Sequence, residues 1–146
     1  MLYPRFVASH PSKSIRVVAA LVEREGRYLI TQRRPTAVLP LLWEFPGGRV
    51  ETGETDSQAL QREFAGRLGE AVELGVGDLI SFVSHPYEHY TVDLYLYQCV
   101  FGDPAAPLEK RSVNAFRWVT SDEFDALPFT PADEASMNQL LGLGDG

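Results

Sequence analysis

The chain has 146 residues, of which 45% are hydrophobic and 23% are charged, so it can form one domain with a buried core. Its 20 acidic and 13 basic residues give a net charge of −7, which argues against bulk nucleic-acid binding because that requires a basic face. The single cysteine, Cys99, excludes an internal disulfide and a cysteine-rich zinc site, and it fits a reducing cytoplasm. We find no apolar run long enough to span a membrane and no secretory signal pattern, so we expect a cytoplasmic protein without a membrane partner.

The first third of the chain predicts a β-hairpin and then a loop. Residues 15–23, IRVVAALVE, are β-branched and apolar, as in a buried strand. Glu25-Gly26 predicts a turn, and residues 28–32 predict the hairpin partner. Three prolines then exclude a long helix and favour a loop with short extended pieces: Pro35, Pro40 and Pro46.

A helix is predicted over residues 55–68. Thr55 can cap it, and Gln58, three residues later, completes a capping-box pattern. The helical spacing predicts a buried stripe formed by Leu60, Phe64 and Leu68.

The second half of the chain predicts three strands and a terminal helix. The strands cover residues 79–84, 90–101 and 116–119, and the helix begins at Thr130-Pro131, runs to Leu141 and ends at Gly142. Because strands and helices mix without strict alternation, we expect one α/β (α+β) domain over residues 1–146. Its ends, about 1–12 and 142–146, are expected to be frayed.

The segment best suited to chemistry is residues 43–70, WEFPGGRVETGETDSQALQREFAGRLGE. Its Gly47-Gly48 pair would allow the backbone to approach a ligand closely. Three nearby carboxylates are hard oxygen donors of the kind that Mg²⁺ prefers: Glu51, Glu54 and Glu63.

This segment resembles the signature box of the Nudix superfamily. Six residues fall on the spacing of that box: Gly48, Glu54, Arg62, Glu63, Phe64 and Gly69. The upstream Arg33, Arg34 and Pro35 and the WEFP run at 43–46 look like the MutT-type branch, which acts on nucleoside triphosphates. The resemblance implies the Nudix fold, a mixed β-sheet sandwiched between helices (α/β/α). It also implies catalytic roles for Glu63, Glu54 and Arg62, with Glu63 and Glu54 as ligands of Mg²⁺ or Mn²⁺ if the chain is active.

The chain departs from the box where the family carries an adjacent pair of metal-binding glutamates. Those positions are Gly66 and Arg67 here, so the formal charge of the helix face changes from −3 to 0. A further acidic position of many family members falls on Ser112. Substitute carboxylates would have to come from Glu51, Glu54 or Glu109, or from a loose group of Glu88 and Asp93 near His85 and His89. Gly66 is interpreted either as drift after metal binding was lost or as room for a ligand. Arg67 is interpreted either as a solvated helix residue or as a phosphate clamp.

The same resemblance implies a purine site formed by Arg33, Phe45 and Asp133. As a carboxylate, Asp133 would accept hydrogen bonds from donors such as N1–H and the 2-amino group of guanine, although it could equally be a helix-capping acid. Phosphates would be held by Gly47, Gly48, Arg33 and Arg67. Four aromatic residues could supply stacking surface or could be packing residues: Tyr87, Tyr90, Tyr95 and Phe129.

The favoured hypothesis is a MutT-like protein that binds a nucleoside di- or triphosphate or a related phosphate-bearing molecule. Hydrolysis would be weak or lost because two metal-ligand glutamates are absent, and binding alone would need no cofactor. The alternative is an active Mg²⁺-dependent nucleoside triphosphate pyrophosphohydrolase that uses substitute carboxylates. A third hypothesis is a protein-interaction module that kept only the scaffold. The sequence leaves homodimerisation open.

Overall fold

The computed structural model describes residues 13–142, so the expected fraying of residues 1–12 and 143–146 lies outside the described range. Within this range the elements are, in order, β1 (Lys13–Arg24), β2 (Arg27–Gln32), β3 (Trp43–Glu44), β4 (Gly47–Arg49), α1 (Asp56–Leu68), β5 (Leu74–Pro86), β6 (Tyr90–Phe101), β7 (Ala115–Val119), a 3-10 segment (Ser121–Ala126) and α2 (Pro131–Leu141). Gly142 is described and adopts a left-handed conformation, which ends α2. Neither helix of this range is long and apolar enough to cross a membrane.

The strands form one mixed sheet in the order β3-β2-β1-β6-β5, with β4 also paired to β1 and β7 to β2. The pairing of β1 with β6 is parallel, from Lys13↔Tyr90 to Val22↔Cys99. The pairings β1–β2, β1–β4, β2–β3, β2–β7 and β5–β6 are antiparallel. The mixed sheet expected from the sequence is therefore confirmed.

Helices cover both faces of this sheet because successive side chains of a strand point to opposite sides. Val18 and Ala20 of β1 belong to the core that contains Phe64 of α1. Ala19, between them, belongs to the core that contains Met137 of α2. The α/β/α arrangement is thus confirmed, since α1 packs against one face of the sheet and α2 against the other.

Helix α1 begins with the predicted capping box. Thr55 Oγ1 accepts from the Gln58 backbone N–H at 3.1 Å, and Gln58 Oε1 accepts from the Thr55 N–H at 2.9 Å. Arg16 of β1 holds the first turn of α1, because its Nε and Nη2 lie 2.9 and 2.7 Å from the two Asp56 oxygens. The buried stripe includes the predicted residues and one more: Ala59, Leu60, Phe64 and Leu68.

Strand β5 is the element whose bounds differ most from the sequence expectation, since it begins at Leu74 rather than at residue 79. Its first half contains Gly75 and Gly77, which weaken a strand pattern in sequence. Gly77 lies so close to β6 that a Cβ there would be 2.9 Å from the Gln98 carbonyl oxygen. The pairing register also shifts between Val76 and Leu79, which breaks the regular alternation.

Candidate functional site

A cavity of about 460 Å³, open on one side, is lined by residues of β1, the loop after β2, β3, β4, α1, β6 and the start of α2. This volume is within the range of small-molecule sites. The six residues that the sequence assigned to nucleotide binding all line it: Arg33, Phe45, Gly47, Gly48, Arg67 and Asp133. Glu63 lines it as well, whereas Glu54 and Arg62 are not among its lining residues. Folding therefore brings residues from four distant parts of the sequence around one space.

The two glycines of β4 allow close packing within the protein. A Cβ at Gly47 would lie 2.0 Å from the Val18 carbonyl oxygen of β1. A Cβ at Gly48 would lie 2.3 Å from Cδ of Glu63, on α1. Protein atoms thus occupy the space where both Cβ atoms would point, while the backbone of both glycines lines the cavity.

Arg62 joins the box helix to the loop that precedes it. Its Nε and Nη2 donate to the two Glu54 oxygens at 2.6 and 2.9 Å, and Nη2 also donates to the Arg49 carbonyl at 2.8 Å. The Glu51 N–H donates to Glu54 at 2.9 Å. These hydrogen bonds lower the pKa of Glu54 to about 2, the bond from Arg62 contributing most. Glu54 is therefore an ionised partner of an arginine.

Glu63 is held between two guanidinium groups. Arg62 Nη1 donates to Oε2 at 2.9 Å, and Arg67 Nε donates to Oε1 at 3.2 Å. Nη1 of Arg67 lies 3.7 Å from Oε2 of Glu44, and the Arg67 side chain is only 22% exposed. Of the two interpretations of Arg67, the structure thus excludes the solvated one, since the side chain is turned into the cavity between two carboxylates.

The described residues do not fit a divalent metal ion. Within residues 13–142 we find no group of three His, Cys, Asp or Glu side chains placed to hold one. Both carboxylates expected to bind metal, Glu54 and Glu63, are paired with arginines. Octahedral Mg²⁺ is usually bound by one or two free carboxylates with phosphates and water. Metal binding here would therefore require these ion pairs to break.

The proposed substitute ligands are exposed or paired with other side chains, and Glu51, 68% exposed, lies 4.0 Å from Nε of Arg62. Glu109 is 56% exposed on its side chain and pairs with Arg111 at 3.3 Å. Glu88 pairs with His89 at 3.6 Å, where both side chains are more than four-fifths exposed. The loose cluster near residues 85–93 is accordingly not a metal site within the described chain.

Asp133 lies buried at the α2 end of the cavity. Its Oδ1 accepts from the Phe45 N–H at 3.0 Å, and its Oδ2 accepts from the Thr130 hydroxyl at 2.5 Å. The carboxylate thus connects α2 to the loop between β3 and β4, which goes beyond the role of a simple helix cap. Burial, together with the nearby charge of Glu44, raises the pKa of Asp133 to about 7.

Glu44 is the residue that the sequence reasoning missed. It lines the cavity, and its oxygens lie 3.3 Å from Nη1 of Arg33. Burial raises its pKa, while Arg33 and Arg67 oppose that shift. The available signal was a carboxylate between two aromatic residues, Trp43 and Phe45, in a stretch otherwise suited to burial.

Two of the four aromatic candidates line the cavity. Tyr87 and Tyr90 do so with ring centroids 5.4 Å apart, and the Tyr87 oxygen accepts from the Ala132 N–H at 3.1 Å. Tyr95 and Phe129 are not among the lining residues, and Phe129 packs against the Phe45 ring in the core. The surface available for stacking is therefore provided by Tyr87 and Tyr90.

Comparisons with known proteins identify the fold and the family. The model of the NUDIX domain family matches residues 17–139. A CTP pyrophosphohydrolase of Escherichia coli (strain K12) is 34% identical over 131 residues, which are 90% of this chain and 94% of that protein. A putative 8-oxo-dGTP diphosphatase 2 of Mycobacterium tuberculosis (strain ATCC 25618 / H37Rv) is 36% identical over 125 residues, 85% of this chain and 86% of that protein. The solution structure of the E. coli ORF135 protein has a TM-score of 0.74 and 31% identity, covering 92% of this chain and 93% of that one. The chain therefore belongs to the Nudix domain family.

Proposed function

We propose that this chain binds a nucleoside di- or triphosphate in the 460 Å³ cavity and that it hydrolyses the ligand weakly or not at all. The observation that carries the proposal is the position of Arg67, whose guanidinium lies between Glu63 and Glu44. A cation there opposes a divalent ion by charge repulsion and offers hydrogen bonds to phosphate oxygens.

The base would lie at the end of the cavity formed by Asp133, Tyr87 and Tyr90. Above about pH 7, where Asp133 is ionised, it accepts hydrogen bonds and donates none, so it favours a base that presents N–H donors. Cytosine and guanine both carry an exocyclic amino group. This chemistry agrees with the substrates named for two relatives, a CTP pyrophosphohydrolase and a putative 8-oxo-dGTP diphosphatase.

The phosphates would lie toward Arg33 and Arg67. Both guanidinium groups face carboxylates inside the cavity, Glu44 and Glu63, at 3.2 to 3.7 Å. These separations exceed those of the strongest charge-assisted hydrogen bonds, so phosphate oxygens can compete for the same N–H groups. The same arrangement supports weak or absent hydrolysis, since among residues 13–142 no group of three metal-binding side chains is placed to position a metal ion and water.

A thermal-shift titration with CTP, dGTP and 8-oxo-dGTP, each with Mg²⁺ and again with EDTA, tests the proposal. A ligand that binds only the folded state stabilises it by about 2.7 kcal/mol at a hundredfold excess over its dissociation constant. We expect a saturable shift that persists in EDTA and that decreases in Arg67→Gln. The control Arg27→Gln removes the same charge from a surface residue that pairs with Glu123, and it should leave the shift unchanged. Absence of any shift with all three nucleotides would contradict the proposal.

The second candidate function is an active Mg²⁺-dependent nucleoside triphosphate pyrophosphohydrolase. It is favoured by the activities named for the relatives, which align over most of this chain. Phosphorus NMR of a nucleoside triphosphate incubated with the protein and Mg²⁺ would resolve the question. Release of nucleoside monophosphate and pyrophosphate at an enzymatic rate, abolished by EDTA, would favour this candidate over the binding protein.

A further inference from the structure

A second pocket of about 380 Å³ adjoins the first over α1. The two share three lining residues, Arg33, Glu63 and Arg67. The remaining residues that line the second pocket are Arg34, Ala37, Arg62, Gly66 and Ser112. The lining therefore has four guanidinium groups and one carboxylate. Glu44 and Glu54, outside the lining, pair with Arg33 and Arg62, so the excess positive charge of the pocket is small and resides mainly on Arg34.

The pocket is lined by all three positions at which the Nudix family carries an acidic residue and this chain carries another type. Gly66, Arg67 and Ser112 all line it, and Ser112 Oγ donates to the Gly66 carbonyl at 3.0 Å. The space that would hold cations among carboxylates is here lined by a glycine, a hydroxyl and arginines. The charge of the pocket is thus suited to bind anions directly.

The four arginines differ in how firmly they are already held. Arg62 is fixed by Glu54 and by the Arg49 carbonyl, so it contributes charge without moving. Arg67 has longer contacts, at 3.2 and 3.7 Å. Arg34 is exposed, and among residues 13–142 it has no ion pair or side-chain hydrogen bond. Arg34 can therefore turn toward a bound anion without breaking an ion pair, whereas Arg67 would have to share its N–H groups between the anion and the carboxylates of Glu63 and Glu44.

We propose that this second pocket, defined here as the arginine pocket, is a metal-independent subsite for the terminal phosphates of the ligand. The inference rests on the proposed function, since the base and sugar would occupy the first cavity. It specifies the ligand class as a nucleoside carrying two or more phosphates. It also predicts that Mg²⁺ weakens nucleotide binding, because a cation bound to the phosphates would compete with the arginines for the same oxygens.

The test measures dissociation constants by calorimetry for CMP, CDP and CTP, and for the deoxyguanosine series, in EDTA and in excess Mg²⁺. We expect affinity in EDTA to rise about tenfold with each phosphate added beyond the first, the equivalent of about 1.4 kcal/mol per phosphate. Mg²⁺ should weaken triphosphate binding and leave monophosphate binding unchanged. Inorganic pyrophosphate should compete with CTP for the arginine pocket but not with CMP.

Two variants distinguish an effect of the arginine pocket on binding from a general effect of the protein's net charge. Arg34→Gln should weaken CTP binding severalfold and leave CMP binding unchanged, because Arg34 lines only the arginine pocket. The control Arg27→Gln removes an equal charge elsewhere and should change neither.

Three outcomes would decide against the inference, and they are distinguishable. Equal affinity for mono- and triphosphates, or tighter triphosphate binding in Mg²⁺, would overturn the subsite and leave the proposed function in place. Absence of saturable binding by every nucleotide would overturn both.

Discussion

Replacing Gly66 and Arg67 together by glutamate tests whether these two residues prevent metal binding. A Cβ at position 66 would meet no heavy atom within 4 Å, so the helix can accept a side chain there. The change at position 67 removes the guanidinium that lies between Glu63 and Glu44. The double variant therefore concentrates negative charge where the wild-type chain has paired charges.

The magnitudes follow from these contacts. Without metal, the variant loses the ion pair of Arg67 with Glu63 at i,i+4 spacing and gains like-charge repulsion, so we expect its unfolding free energy to fall by about 1–3 kcal/mol. Replacing a helical glycine offsets up to about 1 kcal/mol of this loss. Mg²⁺ at a hundredfold excess over its dissociation constant would restore about 2.7 kcal/mol. For a domain of this size that corresponds to a rise of about 8 °C in Tm.

The assay is thermal melting in EDTA and across a titration of Mg²⁺ and Mn²⁺. The wild-type chain should show no metal-dependent shift, and the matched control Gly66→Gln/Arg67→Gln, which adds similar volume without charge, should show none either. The double glutamate variant should recover stability as metal is added, and release of CMP and pyrophosphate from CTP measured in parallel would show whether turnover returns. The reasoning is refuted if that variant is destabilised equally with and without metal, or if the wild-type chain itself is stabilised by Mg²⁺.

Three further predictions follow from the site. Gly48→Ala should lower the unfolding free energy by about 1–3 kcal/mol in chemical denaturation, because its Cβ would lie 2.3 Å from Cδ of Glu63 and would displace that carboxylate from Arg62 and Arg67. The matched change Gly66→Ala should instead raise it by up to about 1 kcal/mol, and equal stabilities of the two variants would contradict the packing argument. Asp133 keeps its proton to about pH 7 in the folded state but loses it near pH 4 when unfolded. Its contribution to stability is therefore full below about pH 4 and lost as pH rises to about 7, a change of roughly 4 kcal/mol. Asp133→Asn should remove that slope from denaturation curves recorded between those pH values, and parallel profiles for the variant and the wild type would count against a buried, proton-retaining Asp133.

Local features of the sequence were sufficient for the box helix and its position in the chain. The capping box of Thr55 and Gln58 and the stripe of Leu60, Phe64 and Leu68 depend on residues three or four positions apart, which a helix brings together whatever else folds. The C-terminal helix from Pro131 to Leu141 was predictable from its ends, since Pro131 suits the first position of a helix and Gly142 the left-handed residue that terminates one. Strand β5 was predicted only in part because its register shift depends on contact with β6.

The charge pattern of the site was also present in the sequence, since the offset of Gly66 and Arg67 from Glu63 fixes which residue types occupy that face of the helix. Only the tertiary structure decided where the Arg67 guanidinium points, because the carboxylate of Glu44 that shares it comes from strand β3. It likewise brought the Asp133 carboxylate to the Phe45 N–H, 88 positions away, and buried the carboxylate there. Residue spacing determines which side chains share a helix face. The packing of separate elements decides which side chains contact a charged group and how much water that group loses. These contacts and this desolvation determine the hydrogen bonds and the pKa values of the site.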